Sequence, residues 1–429
     1  MTAWLCVGGA IVSLVVCLLA TPASSQEPQR GGREPQTRDD SVERPSTLPP
    51  PPVTAYPVEL LGLLATPAPR GPLTLIPSIA VSEEYNDNIF LNNNDRRSDF
   101  ITGFTPAFSL FVNRPNYEVS AGYAFTSEIY AEERSLSGPF NRQAFVGTGL
   151  FRATPQLTLR ISDTYAYDRN ANVTAQGPTG RQESWSNTFT PAMTWQMTPR
   201  SSVTVGAGYT ATRFPGNGTG IDSDTYSFQT TFGYAFTPRF TGNIGYSFTY
   251  LDLERQDNAT THNPAVGFTY YLTPTLTLVM SGGPAITDIG GDTTISPAGA
   301  ASLTQIFRWG SASVQYSRTV SAAGGFGGAT DSQTASGTLA VLALRDLVLA
   351  FTPAYTTSAS LSSRQTTRVD VQTFALTLGG LYRIAQYVAV FAGYSFLHQR
   401  TGGSSSQQAN IDQNRVRIGL QFGYPIHFD

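Results

Sequence analysis

The side chains best suited to bond-making chemistry are few in this sequence and badly placed for it. The three histidines, His262, His398 and His427, lie far apart and show no metal-ligand spacing. The only cysteines, Cys6 and Cys17, fall within the first 17 residues, so no disulfide or cysteine metal site is expected beyond them. Ser395 precedes His398 by three residues in YSFLHQR. A nucleophile and its base must come within hydrogen-bond reach and need an orienting partner. Three positions apart on a strand they face opposite sides, so no catalytic residue is assigned, and His262 in THNPAV earns no more. Asp87 and Asn92–Asp95 offer oxygen ligands for calcium. Without an EF-hand spacing they read as solvated loop, and neither a metal nor a cofactor is expected.

Composition points away from soluble enzymes. Of 429 residues only 13% are charged, and lysine does not occur, so all 27 basic residues are arginine. A formal net charge of −3 excludes nucleic-acid binding as a default role. Residues 3–20, AWLCVGGAIVSLVVCLLA, followed by TPASSQ, have the apolar core and small-residue cleavage region of an export signal, assigned to residues 1–25. Residues 26–72 are rich in Pro, Gln and charge and cannot build a core, so they read as a periplasmic linker.

From residue 73 to 429 the hydrophobic period is two. In the last segment Val416, Ile418, Leu420, Phe422, Tyr424, Ile426 and Phe428 alternate with Arg415, Arg417, Gly419, Gln421, Gly423, Pro425 and His427. One apolar face against one small or polar face suits a sandwich, or a barrel with lipid outside and water inside. The connections favour the barrel. Eight tight turns recur, among them Asn113–Asn116, Thr154–Gln156, Thr198–Arg200, Thr237–Arg239 and Arg308–Gly310, and between them lie longer polar loops such as Asp87–Ser98 and Arg169–Gln182. Short turns at one end and long loops at the other are the pattern of bacterial outer-membrane barrels. Eight turns joining strand pairs, with one strand before and one after, predict an all-β, antiparallel transmembrane barrel of about 18 strands, 16 to 18 being compatible with the pattern. Prolines inside strands (Pro106, Pro191, Pro264, Pro297 and Pro353) are expected to sit at bulges. Tyrosines of the Gly-Tyr pairs at 122–123, 208–209, 245–246 and 393–394 would form an aromatic girdle.

By parity Glu118, Glu128, Arg160, Arg318, Arg415 and Arg417 are expected to project into the lumen. Arg415 and Arg417 would there either attract anions or bridge to inward acids such as Glu118 or Glu128. Phe422, Tyr424 and Phe428 form the expected recognition signal for the barrel-assembly machinery, although Asp429 rather than an aromatic residue ends the chain.

Two stretches, SIAVSEEYNDNIFL (78–91) and FTPAFSLFVNRPNYEVSAGYAF (104–125), resemble the putative β-barrel porin type 2 family of bacterial outer-membrane proteins. The resemblance covers residues 73–429 and implies an outer-membrane location. It also implies association with exopolysaccharide export or surface sorting, and the strand count is similar to that of alginate-type exporters. The function expected is a pore or conduit for hydrophilic solutes or a polysaccharide, not an enzyme. The alternative is a closed structural or adhesive barrel whose loops bind a partner. Expected partners are outer-membrane lipid, lipopolysaccharide, the barrel-assembly machinery and the transported solute, with no nucleic acid.

Overall fold

Alternating sequence makes strands, and strands placed in lipid must leave no unpaired edge, because each free N–H or C=O there costs several kcal/mol. The computed structural model satisfies this by closure. It describes residues 71–169, 182–215, 220–254, 256–322, 329–361, 369–403 and 410–428. The chain divides into two units, the second of which is Pro49–Asp429. The described residues all belong to the second; the expected export signal and all but the end of the linker lie outside them.

The strands are β1 (Leu73–Asn86), β2 (Asp99–Asn113), β3 (Tyr117–Tyr130), β4 (Gly138–Thr154), β5 (Leu157–Asp168) and β6 (Ser184–Thr198). They continue with β7 (Ser201–Arg213), β8 (Ser223–Thr237), β9 (Phe240–Leu253), β10 (Ala259–Thr273), β11 (Leu276–Ile289) and β12 (Asp292–Phe307). The last are β13 (Gly310–Ala322), β14 (Ala329–Leu344), β15 (Leu347–Ser360), β16 (Val369–Ala385), β17 (Val388–Gly403), β18 (Ile411–Gly423) and β19 (Ile426–Phe428). Among the described residues one 3-10 turn, Arg134–Leu136, lies between β3 and β4. Each strand pairs antiparallel with its sequence neighbours, and β1 closes the ring by pairing with β2 on one side and with β18 and β19 on the other. The closing register runs from Asn86↔Arg415 through Ser78↔Gly423 to Leu73↔Phe428. It does not shift across Tyr424-Pro425, so β19 is the end of β18 and the barrel has 18 staves. The eight expected turns all join strands at one end.

The two faces separate as the alternation requires. Ile244, Val266, Ile295 and Val314 are 65%, 65%, 69% and 65% exposed on the outside. An apolar belt of this kind is stable against acyl chains and not against water. The inner wall carries Ser, Thr, Gly and charged residues, joined across strands by hydroxyl pairs such as Thr105–Thr126, Thr188–Thr210 and Thr334–Thr356.

The strand prolines behave differently from expectation. Where β2 pairs with β3, the ladder is interrupted between Phe104↔Ser127 and Ala107↔Ala124, at Pro106, yet the register is the same on both sides. Pro191 and Pro264 do the same in their sheets. Each ring faces outward, so the missing N–H opens the ladder locally without a bulge. The register shifts lie instead mainly next to the tight turns, for example at Arg152/Thr154, Gln196/Thr198 and Arg383/Ala385.

Candidate functional site

The inner wall is buried along the strands that flank the β1–β18 seam, near the short-turn end at Thr74, Ile76, Leu381, Phe391 and Gln421 and more widely in the long-loop half. Ser82, Glu84 and Asn86 of β1, Thr126 and Glu128 of β3, Gln399 of β17 and Gln413 and Arg415 of β18 are all buried there. Toward the short-turn end the inward residues Arg152, Arg160 and Arg383 are exposed.

Part of this burial comes from the first long loop, Asp87–Ser98, whose opening residues Asn88, Ile89 and Leu91 turn inward. Backbone pairing alone cannot hold a loop in that position, and its asparagines supply the missing hydrogen bonds. Asn88 is fully buried; its N–H donates to Asn86 Oδ1 at 3.0 Å and its side-chain amide to the Asp412 carbonyl at 2.9 Å. Gln413 Nε2 donates to the Asn88 carbonyl at 3.0 Å. Asp87 accepts from the backbone N–H and side-chain amide of Asn414, each at 2.7 Å, and pairs with Arg96 at 2.6 Å. Two apolar side chains then pin the loop on either side of the β1–β18 seam. Ile89 packs on Ile101 of β2 and Tyr130 of β3, while Leu91 packs on Leu397 of β17 and Ile411 of β18. Leu91 is the one non-glycine residue with positive φ among the described residues, at 54°. The left-handed region costs a branched side chain about 1–2 kcal/mol, which burial against Leu397 and Ile411 offsets. Residues 92–98 are exposed, as the solvated-loop reading expects, while Asn88, Ile89 and Leu91 at the start of the loop are buried.

Charged residues from the seam strands converge on the same wall. Arg415 grips Glu84 with two hydrogen bonds, Nε to Oε1 and Nη2 to Oε2, both 2.8 Å. Arg142 of β4 bonds Glu128 at 2.8 Å and lies 3.9 Å from Glu84 and 3.6 Å from Asp168 of β5. Glu128 also accepts from Tyr130 OH and Asn141 Nδ2, each at 3.2 Å. Arg417 donates to Ser82 Oγ at 3.0 Å and lies over the Phe391 ring at 5.8 Å. That inward ring fits because residue 419 is glycine: a Cβ there would meet Phe391 at 2.4 Å. Glu84, Glu128 and Asp168 balance Arg142, Arg415 and Arg417, so the cluster carries no formal net charge.

The structure places Arg415, Arg417, Glu128, Glu118 and Arg160 on the inner wall. Glu118 bonds Arg152 at 2.8 Å near the short-turn end, and Arg160 makes no side-chain bond among the described residues. Arg318 requires correction. It shares the outward face of β13 with Val314 and Tyr316 and pairs with Asp331 of β14 at 2.6 Å. Near the long-loop end of a strand the lipid-facing cost of a cation falls to about 0–1 kcal/mol, and its neutralising partner lowers it further. Phe422, Tyr424 and Phe428 all lie on the outer face, with Tyr424 against Tyr387 at 5.0 Å between ring centres. Ser395 is inward and His398 outward, where His398 bonds Asp412. His262 is outward as well and bonds Tyr246 OH at 2.7 Å. Among the described residues no three His, Cys, Asp or Glu side chains are grouped to hold a metal ion. The loop segments 170–181 and 404–409, expected to lie at the same end, fall outside the described residues.

The sequence did not reveal Glu84, Arg142 or Asp168 as members of this cluster. Glu84 follows Glu83, and only parity in β1 separates the lumen-facing carboxylate from its outward neighbour. Its pairing with Arg415 depends on the closing register between the first and last strands, which no local signal encodes.

No protein-family model matches the chain. No curated protein matches it significantly in sequence. Among solved structures it is similar to Pseudomonas aeruginosa OpdO, at 12% identity and a TM-score of 0.42, covering 83% of this chain and 98% of that one. It is also similar to Acinetobacter baumannii OccAB4 (12%, 0.41, 84% and 100%) and to the FrpB iron transporter from Neisseria meningitidis (9%, 0.41, 81% and 82%). At these identities, function has to be read from the chain's own geometry.

Proposed function

We propose that this chain is a conduit of the bacterial outer membrane for hydrophilic solutes, constricted in its extracellular half. The observation that carries this is the closed ring of 18 staves with an apolar exterior and a polar, charged interior. Such a ring is too wide for the side chains of its own wall to fill, and its outer belt belongs in a bilayer. The short turns then lie in the periplasm and the long loops at the cell surface. The buried start of the loop Asp87–Ser98 and the Glu84–Arg142–Arg415 cluster beneath it define the constriction, and below them the inner wall is exposed at Arg152, Arg160 and Arg383 and buried beside the seam at Ile76, Leu381 and Phe391.

Export of an exopolysaccharide is the narrower proposal, supported by the family resemblance of residues 78–91 and 104–125. Lipopolysaccharide, bilayer lipid and the barrel-assembly machinery are the proposed partners, the last recognising Phe422, Tyr424 and Phe428. No catalytic role is proposed. The burial of the inner wall toward the surface loops favours one second reading, a barrel that stays closed and presents its loops to a partner. Proteoliposome swelling separates the two. A conduit admits small sugars at a rate that falls with their size, whereas a closed barrel leaves liposomes as tight as protein-free controls.

A further inference from the structure

The described arginines divide sharply by height in the barrel. Toward the long-loop end most are neutralised: Arg96 by Asp87 at 2.6 Å, Arg97 by Glu133 at 2.9 Å, Arg213 by Asp224 at 2.7 Å and Arg415 by Glu84 at 2.8 Å. At the short-turn end they are not. Arg114, Arg200, Arg239, Arg308 and Arg345 occupy the turns β2–β3, β6–β7, β8–β9, β12–β13 and β14–β15. All five are exposed, and among the described residues none of their side chains has a hydrogen-bond or ion-pair partner. Antiparallel connectivity puts these turns on one rim. Just above them Arg152, Arg160 and Arg383 stand exposed on the inner wall. The acids at this end, among the described residues, are Glu118, which is held by Arg152, and Asp346.

We infer that the periplasmic mouth is a collecting site for solutes that carry several negative charges, carboxylate or phosphate. This deepens the conduit reading and rests on it for the onward passage of the solute. The arginine-bearing turns lie four or six strands apart around the rim, except at β6–β7 with β8–β9 and at β12–β13 with β14–β15, where they are two strands apart, about 10–13 Å once strand tilt is included. That is close to the screening length of about 8 Å at physiological salt. A single small anion therefore feels one or two of the arginines. A solute long enough to span several engages them together, and its second and third contacts form at high effective concentration. The continuation of the unpaired charge onto the wall at Arg160 and Arg383 separates this site from a belt of lipid anchors, because bilayer headgroups do not reach the lumen. Above it the wall charges are balanced, so the attraction ends where the constriction begins.

Fluorescein-labelled polyglutamate tests the site on the full chain in detergent, with labelled neutral dextran as control. Polyglutamate, and not dextran, should bind, and binding should weaken roughly tenfold or more as salt is raised through the screening range. A variant combining R114Q, R200Q, R239Q, R308Q and R345Q changes only exposed turns and should bind at least roughly tenfold more weakly. Arg213→Gln with Arg318→Gln, toward the opposite rim and outside the constriction, should bind as the wild type does. In planar bilayers polyglutamate should block current when added from the periplasmic side and not from the other. Equal binding by the five-arginine variant, or equal block from both sides, overturns the inference. So does a variant that retains polyglutamate binding but loses co-purifying anionic phospholipid, which would make the arginines headgroup anchors. Arginine-dependent binding by a barrel that never conducts would leave the site standing and sink the conduit reading. A conducting barrel without sided block would do the reverse.

Discussion

Replacing Glu84 by Gln should be among the most damaging single changes to the inner wall. Glu84 and Arg415 are 4% and 8% exposed, and the carboxylate and guanidinium share two hydrogen bonds of 2.8 Å. Removing the negative member leaves a buried cation without its bidentate partner, a change worth about 3–5 kcal/mol in comparable sites. Arg415→Gln should cost about the same, because Glu84 loses both 2.8 Å hydrogen bonds and its nearest remaining cation pair is Arg142 at 3.9 Å. The double variant leaves two neutral amides able to bond one another, so it should lose less than the two singles together, with a coupling of about 1–3 kcal/mol. Unfolding of detergent-solubilised barrel, followed by denaturant titration with native and unfolded bands separated in unboiled SDS gels, gives all four corners of the cycle. Single-variant losses below about 1 kcal/mol that simply add would mean the pair is screened by water. The buried constriction described above would then be wrong.

Three other outcomes follow from the same geometry. Leu91→Ala removes the side chain that pins the first loop to Leu397 and Ile411; it should destabilise the barrel by about 2–5 kcal/mol and raise single-channel conductance, and unchanged conductance would separate the loop from the constriction. Ile244→Arg, on the lipid face, should cost about 2–4 kcal/mol near the midplane and reduce the folded barrel in membranes, while Ser247→Arg on the inner face of the same strand should insert normally; equal insertion of both would contradict the assignment of faces. Phe422→Ser combined with Phe428→Ser should leave unfolded chain in the periplasm open to proteolysis, and normal membrane levels would show that another strand carries the assembly signal.

Much of the architecture was legible because period-two alternation and tight turns are local signals. The segment 415–428 shows its two faces residue by residue, and turns such as Asn113–Asn116 and Thr237–Arg239 announce where the chain reverses. Two features were hidden for physical reasons. Proline was expected to force bulges, yet an outward-facing ring merely interrupts one side of the ladder, as at Pro106. Loop Asp87–Ser98 reads as polar and solvated, which holds for residues 92–98, but the burial of its opening residues depends on partners more than 300 residues away, including Asp412, Gln413 and Asn414. Arg318 shows the limit of parity alone: the apolar Val314 and Tyr316 on its own face were the contrary signal, and Asp331, which makes the position tolerable, belongs to the next strand. The seam cluster was out of reach for the same reason as the loop, since Glu84 and Arg415 meet only through barrel closure.

The most direct test of the conduit is single-channel recording of the purified, folded barrel in a planar bilayer, with Leu91 and Leu397 replaced by cysteines. The cysteines native to the chain, Cys6 and Cys17, lie outside the barrel strands, so a disulfide between the two introduced residues would tie the first loop to β17. Discrete conductance steps that fall when the pair is oxidised and recover on reduction are the predicted result. A correctly folded barrel that gives no steps in either redox state would contradict the account.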